Sequence, residues 1–314
     1  MIFDILSATT PIFGLIALGY AIVRGGIVER DLMLGVGRIV LVVAMPALIF
    51  KAVSETSVSA IAQPHFLTAY GAGAVGAFVL IFGIFRIFFA SAVTPAALRG
   101  MSASYPNSIY IGYPLIIYVF DDPPVAAFAM ALLVENLILL PLCLIVMDVG
   151  SSAPDKGSPA QLAKSITARI IRNPLILAIV AGITASGFGL TAPGPIDATI
   201  TLLAQAAPAM SLLFIGGVLV GVSLKGNRPA IATVAAGKLI LHPLLVALAI
   251  VLLPDFDPTL QAAAILLAAA PMATILPLIG ARYGEGPQTA VFLSVATIAS
   301  FVTIAGVIWL VRMM

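Results

Sequence analysis

Two pairs of polar residues lie inside otherwise apolar stretches, where ionisable groups are costly. Glu135 and Asn136 lie in one stretch, and Lys238 and His242 lie in another. A helix places Lys238 and His242 on one face, because they are four positions apart. At membrane depth, Glu135 could carry a coupling proton or hold a cation, while a Lys/His face could attract an anion or pair with Glu135. For both pairs, the alternative is a structural ion pair or a polar packing contact.

A second group of candidate residues lies within two apolar stretches that prolines and polar residues interrupt. The segments are ASYPNSIYIGYP, which begins at Ala103, and AAAPMATILP, which begins at Ala268. Proline removes a backbone N–H and blocks the preceding helical turn. At membrane depth, broken backbone survives only where it is buried in protein or lines a wet cavity. Paired interruptions therefore predict a substrate-binding site, and its candidate residues are Pro106, Asn107, Ser108, Tyr110, Pro271 and Thr274.

The chemistry of such a site favours an anion. Half-helix N-termini carry partial positive charge and free N–H donors. The amide of Asn107 could donate to a carboxylate or accept from a cation, and asparagine is also a good helix N-cap. The alternative for the prolines is that they only kink membrane helices.

The composition indicates which class of protein positions these groups. Of the 314 residues, 61% are apolar and 9% are charged, whereas soluble domains carry about 25% charged residues. The sequence therefore predicts an all-α integral membrane protein in contact with lipid. The net charge of +2 argues against a nucleic-acid partner. The single cysteine, Cys143, allows no internal disulfide, and the sequence predicts no metal site.

The chain contains ten candidate membrane spans, since one span needs about 20 mainly apolar residues. The predicted spans are 5–23, 33–53, 66–90, 97–119, 124–148, 173–190, 197–222, 229–253, 259–282 and 287–311. A polar connection divides them into a first five-helix repeat, 1–148, a cytoplasmic linker, 149–172, and a second repeat, 173–314.

The basic residues predict the orientation of the spans. One set of loops holds eleven Lys and Arg residues, and the opposite set holds only Lys51 and Arg312. Since Lys and Arg concentrate in cytoplasmic loops, the first set is cytoplasmic and both termini lie outside the cytoplasm.

The two halves resemble each other at a nearly constant offset. Gly19 and Gly182 end similar segments that lie 163 residues apart. Three pairs of prolines, at 46 and 208, 106 and 271, and 124 and 287, lie 162, 165 and 163 residues apart. Because each half has an odd number of spans, the second half is inverted in the membrane, as in many secondary transporters.

The motifs of several other functional classes do not occur in the sequence. It has no HExxH zinc motif, no pair of intramembrane aspartates, no Ser/His nucleophile arrangement and no GxxxxGK[ST] phosphate loop. We therefore predict a transporter that is not an enzyme, with no catalytic residues and no cofactor. The coupling ion is H⁺ or Na⁺, or transport is uncoupled. The alternatives are a carrier of cations or neutral solutes, a passive channel and a non-transporting sensor.

Nearly the whole chain resembles the auxin efflux carrier family, which includes bacterial malonate-transporter-like proteins. TPIFGLIALGYAIVRGG resembles the family's first span, VAMPALIF its second, PNSIYIGYP its fourth and RNPLILAIVAGI its sixth. AAAPMAT and GARYGEGPQTAVFLSVATIASFV resemble its ninth and tenth spans.

This resemblance implies a ten-span fold in which the broken helices 4 and 9 cross, as in bile-acid carriers and sodium/proton antiporters. It further implies a scaffold of spans 1, 2, 6 and 7 and a transport unit of spans 3–5 and 8–10 that moves as an elevator. Members carry organic anions such as malonate, and a homodimer in a bacterial inner membrane is expected. The asparagine that follows the proline of helix 4 binds substrate in plant relatives, and here it is Asn107. Span 9 lacks a matching asparagine, which makes auxin itself a doubtful substrate.

Overall fold

The computed structural model describes residues 2–57, 61–150, 164, 167–168, 170–221 and 226–313. Every regular element within these residues is a helix, which confirms the all-α prediction. The helices are α1 Ile2–Arg24, α2 Arg30–Ser54, α3 Pro64–Ile87, α4 Val93–Ser104, α5 Ser108–Val119, α6 Val125–Gly150, α7 Pro174–Gly187, α8 Gly194–Val218, α9 Arg228–Leu252, α10 Pro258–Ala269, α11 Leu276–Ala281 and α12 Gly286–Val311.

Six of these helices are long and apolar enough to cross a membrane, namely α2, α3, α6, α8, α9 and α12. Shorter apolar helical segments are Thr10–Arg24, Ser108–Val119, Pro174–Gly187 and Pro258–Ala269. The count of ten spans and the inverted relation of the two halves stay predictions. The predicted linker, 149–172, lies largely outside the described residues.

Four of the helices contain a π-helical segment, in which the backbone turn is wider than in an α-helix. Each segment ends two residues before a proline, which has no N–H to offer the preceding turn. The segments are Val40–Ala44 before Pro46, Ser108–Gly112 before Pro114, Glu135–Leu139 before Pro141 and Gly237–Leu241 before Pro243. Glu135, Asn136 and Lys238 therefore lie in π-helical backbone, which occurs frequently at functional sites.

The two interrupted apolar stretches break at one proline each. The first break lies between α4 and α5 and contains Pro106, and the second lies between α10 and α11 and contains Pro271. Pro114 lies within α5, two residues after its π-helical segment, and Pro277 lies in the first turn of α11. In a first turn, the missing N–H of proline leaves no helical hydrogen bond unmade. Neither Pro114 nor Pro277, the second proline of each predicted interruption, breaks its helix.

The chain divides into two compact units. Unit 1 comprises Met1–Pro64, Ser108–Leu132 and Ile171–Gly221. Its helices α1 and α8 pack closely, because glycine lets their backbones approach. A Cβ atom added at Gly216 would lie 1.9 Å from the carbonyl oxygen of Ile16, and one added at Gly19 would lie 2.1 Å from that of Leu213.

Unit 2 comprises His65–Asn107, Leu133–Ile170 and Val222–Met314. Its apolar core draws on α3, α4, α6, α9, α11 and α12 and on the breaks themselves, through Tyr105, Met272 and Ala273. Both breaks are thus built into the core of unit 2. The predicted scaffold and transport unit concern motion, and they stay predictions.

Candidate functional site

The two helix breaks meet in a short antiparallel contact within unit 2. The backbone N–H of Asn107 donates to the carbonyl oxygen of Pro271 at 2.7 Å, and that of Ala273 donates to Tyr105 at 3.1 Å. Pro106 lies opposite Met272 in this contact. Each break therefore supplies backbone partners that the other has lost by leaving the helix, and we call this contact the bridge.

The bridge is enclosed by protein. Asn107 is 2% exposed, and Pro106 and Pro271 are buried. Thr274 lies in the turn that precedes α11 and is half-buried. The structure thus brings Pro106, Asn107 and Pro271 together and places Thr274 three residues beyond Pro271 along the chain.

The helix that precedes the first break bonds two carbonyl groups near its end from within itself or from the next residue. The Ser104 hydroxyl donates to Gly100 at 3.0 Å, and the N–H of Tyr105 donates to Met101 at 2.9 Å. The last four carbonyl groups of a helix have no intrahelical partner, so such bonds matter in a buried setting.

The helix that precedes the second break ends against a lysine. The Lys238 ammonium donates to the carbonyl oxygen of Ala268 at 2.6 Å and lies 2.9 Å from Nδ1 of His242. Both side chains are completely buried. A cation at the end of a helix is favourable, because the terminal carbonyl groups carry partial negative charge.

Glu135 lies in the same polar region. The Tyr70 hydroxyl donates to Oε1 of Glu135 at 2.7 Å, and the Tyr70 ring centroid lies 6.3 Å from that of His242. The charge of Glu135 also attracts Lys238. We call Tyr70, Glu135, Lys238 and His242 the polar cluster. Its members come from α3, α6 and α9, and all belong to unit 2.

Residues 4–308 of the chain match the family described as "Membrane transport protein". The chain belongs to this family. A Rhizobium meliloti (strain 1021) protein named "Putative malonate transporter" is 32% identical over 311 residues, which cover 98% of this chain and 96% of the relative. The resemblance to the auxin efflux carriers is thereby confirmed. The protein is an integral membrane transport protein and not an enzyme.

Two predicted binding residues of the transporter belong to unit 1 instead. Ser108 is buried at the start of the π-helical segment of α5. The Tyr110 hydroxyl donates to the carbonyl oxygen of Gly37 at 3.0 Å, and its ring packs on Phe214 with centroids 4.8 Å apart. These contacts hold Tyr110 against α2 and α8, and a role in substrate binding stays a prediction.

Asn136 is buried beside Glu135 and contacts the first break. The Tyr105 hydroxyl lies 3.5 Å from its Oδ1 atom, at the limit of a hydrogen bond. Since Tyr105 precedes Pro106, this contact links the π-helical segment of α6 to the bridge.

Several residues that contact the candidate site residues were not anticipated from the sequence. Tyr70, Tyr105 and the carbonyl group of Ala268 all bind predicted residues. A tyrosine in an apolar helix usually packs, and a backbone carbonyl leaves no mark on residue type. The sequence does carry one signal for the π-helical segments, namely a proline two residues after each of them. Two of these prolines, Pro141 and Pro243, follow the segments that contain Glu135 and Lys238.

Polar contacts near the helix ends join residues predicted to lie on one side of the membrane. In unit 1, Lys51 is paired with Glu55 at 2.8 Å and with Asp197 at 3.1 Å, all predicted outside. In unit 2, Arg99 lies 3.5 Å from Glu285, near the predicted cytoplasmic side. These distances agree with the pattern of basic residues, and the orientation itself stays a prediction.

Proposed function

We propose that the protein is a secondary transporter that moves a small organic anion, a carboxylate such as malonate, across the membrane. The observation that carries this proposal is the bridge, in which the two broken helices of unit 2 meet at Asn107 and Pro271. Paired interruptions of this kind are the best pointer to a transporter's binding site. The printed name of the Rhizobium relative supports a dicarboxylate as the substrate.

In this proposal the anion binds beside the bridge at Pro106, Asn107, Pro271 and Thr274. The Asn107 amide donates to a carboxylate oxygen. Ser108 and Tyr110 are left out, because they belong to unit 1 and Tyr110 already bonds to Gly37.

The architecture that we propose has ten spans in two inverted repeats. The six long helices, together with α1, α7 and the pairs α4–α5 and α10–α11, supply ten. Spans 1, 2, 6 and 7 form the scaffold, and the rest moves as an elevator. We further propose a homodimer in a bacterial inner membrane with both termini outside the cytoplasm.

The first test is uptake of labelled malonate into proteoliposomes, with a panel of mono- and dicarboxylates as competitors. We expect saturable uptake that carboxylates inhibit and that empty liposomes lack. If cations or neutral solutes inhibit the uptake and carboxylates do not, the result would contradict the proposal. It would support a carrier of another substrate class. Binding without flux would support a sensor.

Three variants of Asn107 test the proposed site. Asn107→Ala removes a hydrogen bond to a charged group, so the malonate Kd should rise roughly ten- to hundredfold. Asn107→Ser keeps a good helix cap but loses the amide, so it should resemble the alanine variant if the amide binds substrate. Asn107→Asp should abolish anion binding by charge repulsion, whereas a cation carrier would tolerate it.

The matched control is Asn173→Ala. Asn173 caps α7, and its side chain accepts from the N–H of Leu175 at 3.0 Å. We expect a loss of stability of about 1 kcal/mol and an unchanged malonate Kd. If Asn107→Ser behaves like the wild type while Asn107→Ala does not, Asn107 is a cap and the proposed site is wrong.

A further inference from the structure

The polar cluster of unit 2 has the composition of a proton site. It places one carboxylate, one ammonium, one imidazole and one phenol in a region where each residue is at most 2% exposed. Ionisable groups at such depth are expensive and in transporters mark ion or proton pathways. The bridge does not require them, since its own hydrogen bonds join backbone atoms.

The same contacts disfavour a sodium site. Hard cations such as Na⁺ prefer several oxygen ligands. Here the carbonyl oxygen of Ala268 is bound by the Lys238 ammonium at 2.6 Å, and the next partner of that ammonium is a nitrogen, Nδ1 of His242. Lys238 thus acts as a resident cation at the end of α10, which removes an oxygen ligand and adds charge repulsion against a metal cation.

Glu135 is the group whose charge can change. With Glu135 ionised and Lys238 charged, their two charges cancel. One proton on the Glu135 carboxylate leaves the cluster with a charge of one positive unit, which offsets one negative charge of a bound anion. The offset matters because an uncompensated charge is costly in a low-dielectric environment. Glu135 accepts from Tyr70 on α3 and attracts the charge of Lys238 on α9, and His242 on α9 contacts both of these partners.

His242 leaves one hydrogen-bonding position open. Its Nδ1 atom faces Lys238, and its buried Nε2 atom has no hydrogen-bond partner among the described residues. Because Nδ1 accepts from the Lys238 ammonium, the neutral imidazole carries its one proton on Nε2, so Nε2 is a donor and cannot take up a further proton. His242 therefore positions the Lys238 ammonium, and the exchangeable proton has to lie elsewhere in the polar cluster.

A short backbone segment connects the cluster to the bridge. Ala268 binds Lys238, and Pro271, three residues later, accepts the N–H of Asn107. A change in the charge around Lys238 therefore acts on the backbone that forms the bridge.

We propose that Glu135 carries one proton that crosses the membrane with the anion, and that Lys238 is a fixed cation in place of sodium. Tyr70 and His242 are positioning residues, which hold the carboxylate and the ammonium. This inference rests on the proposed function, because it concerns the coupling of that same transport.

The test uses the full chain in proteoliposomes with labelled malonate and a membrane potential clamped at zero by potassium and valinomycin. An outside-acid pH gradient should drive accumulation several-fold above equilibrium without sodium, and a sodium gradient should add nothing. Entrapped pyranine should report acidification when malonate enters. Empty liposomes correct for passive diffusion of the protonated acid.

Glu135→Gln should lose accumulation driven by the pH gradient but keep malonate counterflow, which needs binding and movement without net proton flux. The control is Asp148→Asn, because Tyr283 donates to Asp148 at 2.5 Å and so reproduces the pairing of Tyr70 with Glu135 outside the polar cluster. This control should keep both activities.

Each outcome decides one of the two proposals. Accumulation driven by sodium, malonate entry without acidification, or gradient-driven accumulation by Glu135→Gln would overturn the proton inference while anion transport stands. The first two results come from the wild type, so they decide the matter even if Glu135→Gln does not fold. The absence of uptake and counterflow for every carboxylate would overturn the proposed function and this inference with it.

Discussion

Unit 1 and unit 2 bury polar side chains to very different extents. Among the described residues and apart from tyrosines, the buried polar side chains of unit 1 are Ser108 and Ser211. Those of unit 2 are Thr94, Ser102, Ser104, Asn107, Glu135, Asn136, Lys238, His242, Thr289, Ser294, Thr297 and Ser300. Burial of polar groups costs free energy unless they are bonded, so unit 2 depends more on buried polar contacts than unit 1 does.

Unit 1 is built from close backbone packing instead. Gly19 and Gly216 let α1 and α8 approach without side chains between them, as small residues do in many membrane helix pairs. We therefore expect the stability of the two units to respond to different kinds of substitution. Unit 2 should be sensitive to lost charges and hydrogen bonds, and unit 1 to added volume.

The largest effect should come from Lys238→Met in unit 2. The change leaves the carbonyl oxygen of Ala268 without its ammonium and Glu135 without its opposite charge. Breaking a buried charge pair costs about 3–5 kcal/mol, so we expect a large loss of thermal stability in detergent, measured by fluorescence-detected size exclusion.

The matched control is Lys51→Met in unit 1, whose side chain is 24% exposed and pairs with Glu55 and Asp197. Pairs of this kind contribute about 0–1 kcal/mol. Adding Glu135→Gln to Lys238→Met should restore part of the lost stability. Equal melting temperatures for the two single lysine variants would contradict the contrast between the units.

A smaller effect is expected for Gly216→Ala in unit 1. The new methyl group would meet the backbone of Ile16, which cannot move aside as a flexible side chain does. Overpacking of this kind costs about 1–3 kcal/mol, and the melting temperature should fall accordingly.

Gly14→Ala in α1 is the control, since a Cβ atom there meets nothing within 4 Å. Its stability should stay at the wild-type level or rise slightly, because alanine favours a helix more than glycine does. A tolerated Gly216→Ala variant would show that α1 and α8 can separate freely, and the account of unit 1 would then be wrong.

Much of the fold follows from the sequence because apolar length is a strong signal. The predicted spans 66–90 and 229–253 correspond to α3, Pro64–Ile87, and α9, Arg228–Leu252. The breaks were also predictable, since proline and asparagine are poor choices for a helix interior. Which proline breaks the helix was not predictable, because both Pro106 and Pro114 lack an N–H, and Pro114 nevertheless lies within α5.

The polar cluster was only partly predictable. Glu135, Lys238 and His242 are conspicuous because ionisable residues are rare in apolar stretches. Their partners are not conspicuous in the sequence. Tyr70 belongs to α3, far away in sequence, and Ala268 contributes only a carbonyl oxygen. Residue types predict which groups need partners, whereas the packing of helices decides which atoms supply them.

The smallest effect on stability is expected when the same substitution is made in both units, as Tyr70→Phe in unit 2 and Tyr110→Phe in unit 1. Each removes a hydroxyl group that donates a hydrogen bond, to a Glu135 carboxylate oxygen at 2.7 Å or to the Gly37 carbonyl oxygen at 3.0 Å. Hydrogen bonds between membrane helices average about 0.6 kcal/mol and reach about 1.7. A bond to a carboxylate is stronger, so Tyr70→Phe should lower the melting temperature more and also weaken pH-driven malonate accumulation. Tyr110→Phe should leave that accumulation unchanged, and an equal loss in both variants would mean that the Tyr70 hydroxyl serves packing alone.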